Sequence, residues 1–118
     1  MNTGQTRLAR ERRQARVRKQ VRGSDIRPRL SVYRSNRHTY VQVISDESGR
    51  TLAAVSTLKY ESGTPTGNRA AARRLGEIVG RLCLDRKIDQ VIFDRNGFLY
   101  HGRIKEVAEG ARAAGLKF

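Results

Sequence analysis

From residue 30 onward apolar and polar positions alternate. Leu30 and Val32 fall on one side of an extended segment, with Ser31, Tyr33 and Ser35 on the other. After a polar break at Ser35–Arg37, Val41 and Val43 point inward while Tyr40, Gln42 and Ile44 point away. A period of two is the signature of a half-buried strand, so residues 27–44 predict a hairpin with one covered and one open face. Pro28 biases the residue before it toward an extended entry. Asp46-Glu47-Ser48-Gly49-Arg50 reads as a turn, and Thr51–Thr57 as a third strand of an antiparallel meander. The small Ala53 and Ala54 allow close approach across that part of the sheet.

The period then changes. After a loop from Lys59 to Gly67 containing Pro65, Ala71, Leu75, Ile78, Val79 and Leu82 recur at helical spacing with Cys83 beside them. This predicts a helix from Gly67 or Asn68 to about Asp85, with Arg69, Arg73, Arg74, Glu77 and Arg81 off the apolar stripe. The run Asp89–Asp94 is apolar between charges and predicts a buried strand reached by a crossover. Arg95-Asn96-Gly97 is a turn. A last helix starts near Arg103 on Ile104, Val107, Ala108 and Ala111, and Gly115 caps it with Leu116 as hydrophobic partner. The predicted order is β-β-β-α-β-α, an α+β fold with both helices on one face of the sheet.

Charge changes the picture most. The 118 residues carry 25 Lys+Arg against 11 Asp+Glu, formally +14. Arg7, Arg10, Arg12, Arg13, Arg16, Arg18, Lys19, Arg22, Arg27 and Arg29 face only Glu11 and Asp25, so residues 1–29 hold a net +8. The apolar residues there are too sparse for a buried face. Residues 1–26 are therefore expected to be a basic arm, flexible or helical once phosphates neutralise it, ahead of a single domain at 27–118. Such a field draws in polyanions. No stretch resembles a spanning helix or the apolar core of a signal peptide, so the expected setting is the cytosol and not a membrane. One cysteine, Cys83, suits a reducing compartment and reads as a small core hydrophobe.

Chemistry has little to work with. Asp46, Glu47, Glu77, Asp85, Asp89 and Asp94 are scattered, and Cys83, His38 and His101 lack zinc spacing. An RNase-H-like, metal-dependent nuclease would share the architecture, but it needs convergent carboxylates, and the first strand contains no acid. Asp94 reads instead as a turn residue or a partner orienting an arginine. Neither a cofactor nor a metal is expected. Binding has material in three places. The hairpin offers Arg27, Arg29, Ser31, Tyr33, Arg34, Ser35, Asn36, Arg37, His38, Tyr40 and Gln42. The second strand end offers Arg95, Asn96, Gly97, Tyr100, His101, Gly102 and Arg103, and the arm adds charge. Guanidinium forks suit phosphates, and aromatic rings suit bases or ribose. Arg34 shares the parity of buried Leu30 and Val32, so it is expected to escape at the strand's end. A basic adaptor binding RNA or DNA alike is the alternative to an RNA-specific protein.

Arg27–His38, Thr51-Leu52-Ala53, Phe93–Arg103 and the closing Ala113–Phe118 together resemble the bacterial large-subunit ribosomal protein eighteen family, nearly end to end. Tyr100-His101-Gly102-Arg103 in its context is the most specific part, and Asn96 stands where glycine would be expected. The resemblance implies a cytoplasmic ribosomal component, not a homo-oligomer. It would bind 5S rRNA and help attach it to 23S rRNA in the central protuberance, beside large-subunit ribosomal protein five.

Overall fold

The computed structural model describes residues 22–57 and 69–118 together with Ala9, Glu11 and Arg12, which are helical. Strands β1 (Arg29–Arg34), β2 (Thr39–Ser45) and β3 (Arg50–Ser56) are followed by helix α1 (Arg69–Asp85), strand β4 (Ile92–Asp94) and helix α2 (Arg103–Ala114). The sheet order is β3-β2-β1-β4. β1 and β2 pair antiparallel, Tyr33 opposite Tyr40 and Ser31 opposite Gln42, and β4 runs parallel to β1 with Asp94 opposite Ser31. The parallel pairing is what the crossover through α1 allows. β4 is shorter than the apolar run suggested. Gln90 leaves the sheet register and bridges Lys117 instead.

One face of the sheet carries Leu30, Val32, Val41, Val43, Ala53 and Val55, which with Leu75, Val79, Cys83, Ile104, Val107 and Ala111 form the core. Both helices lie on this face. The apolar stripe of α1 is rotated from the predicted one: Ala72, Gly76 and Gly80 are buried, while Ile78 and Leu82 are only half-buried. The rotation has a steric origin. A Cβ on Gly76 would lie 2.2 Å from the Val107 carbonyl oxygen, and one on Gly110 would lie 2.2 Å from the Arg73 carbonyl oxygen. The two helices therefore cross backbone against backbone, a contact open only to residues without a side chain. α2 ends as predicted: the Leu116 amide donates to the Ala111 carbonyl and the Gly115 amide to Arg112, with Leu116 buried. α1 ends in the same way on a residue less suited to it, Lys87, which takes φ +63°.

The opposite face is half covered rather than open. Gly23 packs so closely over β1 and β2 that a Cβ there would lie 2.3 Å from the Arg29 nitrogen and 2.6 Å from the Ile44 oxygen. Around it, the Gly23 carbonyl accepts the Asp46 amide, and Asp25 accepts the hydroxyls of Ser45 at 2.5 Å and Ser48 at 2.9 Å. The tie to the body thus begins inside the stretch assigned to the arm. Among the described residues, the far half of this face, around Tyr33, Tyr40, Gln42, Ala54 and Ser56, is the more open to solvent.

Candidate nucleic-acid interface

Four aromatic rings cross that accessible half. His38 lies 6.4 Å from Tyr40, Tyr40 lies 6.2 Å from Tyr33, and Tyr33 meets Phe98 edge-on at 5.6 Å. The row follows from register and turn chemistry. Tyr33 and Tyr40 are cross-strand partners, and His38 closes the hairpin loop, where the Ser35 amide donates to the His38 carbonyl at 2.8 Å. Phe98 arrives through a tight turn in which its amide donates to the Arg95 carbonyl at 3.0 Å. Asn96 and Gly97 both take positive φ there, +57° and +80°. Asparagine is among the few side-chain-bearing residues that accept this conformation, which explains how it can stand where glycine was expected.

The cations frame the row. Arg34 escapes from the end of β1 as expected, its guanidinium 5.4 Å from the Phe98 ring centroid. Arg103, from the start of α2, reaches back to the His38 carbonyl at 3.4 Å. Burial, and secondarily the nearby charge of Arg34, lower its pKa below the ordinary arginine value, which marks it as held partly out of water beside another cation. Gly102 starts α2 with φ +56° and ψ −126°, a conformation essentially closed to other residues, so the Tyr-His-Gly-Arg motif needs glycine for backbone reasons. Arg22, Arg27, Asn36, Arg37, Gln42, Arg95 and His101 are exposed. A groove of about 240 Å³ runs along Tyr40, Gln42, Ala54 and Ser56.

Several residues expected at this surface are elsewhere. Arg29 is only 7% exposed and lies between two carboxylates. Its Nε and one terminal nitrogen donate to the two oxygens of Asp46 at 3.1 and 3.0 Å, and the other terminal nitrogen donates to Asp94 at 2.8 Å. Its fork is spent inside the protein, because an uncompensated buried Asp94 would be far costlier than a lost phosphate contact. Ser31, Asn96 and Gly97 are buried too, and the Ser35 hydroxyl turns into its own loop. Tyr100 belongs to a separate cluster at the other edge. There it packs edge-on against Phe93, accepts a bond from Arg112 at 3.1 Å, and stands near the Phe93–Phe118 stack. Of the arm candidates, Arg12 is exposed, while Arg7, Arg10, Arg13, Arg16, Arg18 and Lys19 lie outside the described residues.

Two members of the site carried no clear signal in sequence. Phe98 was not among the expected contact residues, although an aromatic directly after Asn-Gly was a visible hint. Thr57 is fully buried; its hydroxyl oxygen accepts the Thr39 amide at 3.1 Å and lies 3.2 Å from His38 Nδ1, which orients that ring. The described acids bring two carboxylates together. Asp46 and Asp94 converge, but on a guanidinium, and among the described residues no group of three or more His, Cys, Asp or Glu could hold an ion. Desolvation pushes the Cys83 thiol up to about 11, as expected of an inert core residue. No helix among the described residues is long and apolar enough to cross a membrane.

The family model for ribosomal L18 of archaea, bacteria, mitochondria and chloroplast matches residues 4–118. The large ribosomal subunit protein uL18 of Moorella thermoacetica is 55% identical over 113 residues, covering 94% of this chain and 93% of the relative. Those of Sorangium cellulosum and Trichlorobacter lovleyi are each 51% identical, over 114 and 119 residues, covering 94% and 98% of this chain and 96% and 98% of the relatives. With a family match and half-identical relatives running nearly end to end, the chain belongs to the ribosomal L18 family, structural proteins of the large ribosomal subunit that are not enzymes.

Proposed function

We propose that this protein binds 5S rRNA and helps attach it to 23S rRNA in the central protuberance of the large subunit, as a single copy beside large-subunit ribosomal protein five. Its place of work is the ribosome of the cytoplasm. The observation that carries the RNA part is the row His38–Tyr40–Tyr33–Phe98 with Arg34 against its last ring, on a chain of net charge +14. Rings in a row on an exposed sheet face suit unstacked bases and ribose, while the arginines around them suit phosphates and 2′-hydroxyls. The basic arm at residues 1–26 adds non-specific attraction. Recognition is by shape and backbone, with no linear base code.

Competition of 5S rRNA against tRNA and duplex DNA for the full-length protein tests the reading. Preference for 5S rRNA at moderate salt supports it; equal competition by all three polyanions reduces the protein to a general basic adaptor. If about 6–10 phosphates are neutralised, affinity falls roughly 10³–10⁵-fold between about 50 and 200 mM salt. A salt-insensitive binding curve would remove the electrostatic part of the account.

A further inference from the structure

The Asp46–Arg29–Asp94 triad has a second set of bonds. Asp46 Oδ2 accepts the amide of Gly23 at 2.7 Å, and Asp94 Oδ1 accepts the amide of Asn96 at 2.9 Å. Gly23 ties the end of the basic stretch to the sheet, directly after exposed Arg22. Asn96 opens the turn that carries Arg95 on one side and Phe98 on the other. These two segments are 73 positions apart in sequence and share no strand pairing, yet one guanidinium grips both carboxylates that hold them, Asp46 from the turn after β2 and Asp94 from the end of β4. We infer that Arg29 is a positioning residue of the RNA surface: through Asp46 and Asp94 it holds the arm's exit and the Arg95–Phe98 turn as one unit, without itself touching RNA. The inference rests on the RNA-binding reading above.

The geometry explains why arginine is required. A planar fork offers two donors to Asp46 and a third, in a different direction, to Asp94; a lysine ammonium is a point charge that lacks this shape. Without the cation two neighbouring carboxylates repel, so loosening one end is transmitted to the other. Gly23 is seated against the backbones of Arg29 and Ile44, too close for a side chain, and the Asp46 carboxylate holds its amide there. Loss of Asp46 therefore loosens Gly23 together with exposed Arg22 before it, not merely one hydrogen bond.

The experiment uses the full-length protein with Asp46→Ala and, because Asp46→Ala risks the fold, also Asp46→Asn, which keeps the volume and an acceptor oxygen for Gly23. Amide hydrogen exchange is read at Gly23 and Asn96, and the salt dependence of binding is read with a 5S rRNA transcript. The expected result is exchange faster by about tenfold at Asn96 as well as at Gly23, although Asn96 bonds to Asp94 and not to Asp46. The slope of log affinity against log salt should also shrink by about 2, since a misdirected arm neutralises fewer phosphates. A role confined to stability lowers the active fraction and leaves that slope unchanged. Faster exchange at Gly23 alone, or a wild-type slope in both variants, overturns the inference. If the wild-type protein shows no preference for 5S rRNA, the functional reading fails, and the Asn96 exchange still decides whether the triad couples the two segments.

Discussion

Gly76 and Gly110 make the sharpest stability prediction because two general rules oppose each other there. Both are buried within helices, where replacing glycine by alanine ordinarily gains about 0.8–1.0 kcal/mol in helix propensity. Across the interface, however, the Gly76 Cβ would meet the Val107 carbonyl oxygen at 2.2 Å and the Ala111 nitrogen at 3.0 Å. The Gly110 Cβ would meet the Arg73 oxygen at 2.2 Å and the Glu77 nitrogen at 3.0 Å. These are main-chain atoms that cannot rotate aside, so α1 and α2 must separate by about an ångström, and a gap of that size forfeits roughly a quarter to a half of each dispersion contact along the crossing. Overpacking of this severity belongs at the upper end of the usual 1–3 kcal/mol range or beyond it, so the net loss is about 2 kcal/mol for either alanine variant. At roughly 4–8 °C per kcal/mol for a domain of this size, thermal unfolding followed by circular dichroism should show Tm lower by about 8–16 °C. Because one outward displacement relieves both clashes, the double variant should lose clearly less than the sum of the singles. Single variants as stable as the wild type would refute the backbone-to-backbone crossing, and strict additivity would refute the shared displacement.

Arg29→Ala should destabilise by about 3–5 kcal/mol in urea unfolding, since it leaves the fully buried Asp94 without its cation; a loss confined to RNA affinity would return Arg29 to the phosphate contacts. Lys87→Gly should raise stability by roughly 0.5–1 kcal/mol, because the position already requires φ +63°, and a lower Tm would show that the lysine side chain contributes more than its backbone costs. Hydrogen bonds from Arg29, and secondarily the Gly23 amide, hold the Asp46 carboxyl below its ordinary value. The stability this contributes is present above the unfolded aspartate value of about 3.9 and is lost as pH falls below it toward the depressed folded value, so the Tm gap between wild type and Asp46→Asn should close with acidification below about pH 4. Phe98→Ala should weaken 5S rRNA binding by about 1–3 kcal/mol in filter binding, and unchanged affinity would remove Phe98 from the stacking row.

How much was legible in sequence depended on whether the cause was local. Alternation across Leu30–Ile44 made β1 and β2 and their facing rings readable, because side-chain direction in a strand follows from parity alone. Helical spacing around Leu75 and Ile104 placed both helices, and Gly115-Leu116 marked the end of α2 through bonds within one turn. The basic arm and the resemblance around Tyr100-His101-Gly102-Arg103 carried the functional class. Residues whose partners lie far along the chain were misjudged. Arg29 looks like any other arginine of the basic entry until the fold brings Asp46 and Asp94, 17 and 65 positions away, to its fork. Phe98 has no strand or helix periodicity to place it until the Asn96-Gly97 turn brings it against Tyr33. Gly76 and Gly110 look like weak points of helices until the crossing shows that any side chain would hold the helices apart. The sequence by itself determined the order of the elements, the faces of β1 and β2 and the polyanion-seeking charge, because propensity, periodicity and net charge are sums over neighbouring residues. Only the tertiary structure decided that Arg29 is consumed by the protein while Arg27 and Arg95 stay exposed, because burial and ion pairing arise from contacts between segments that are strangers in the chain.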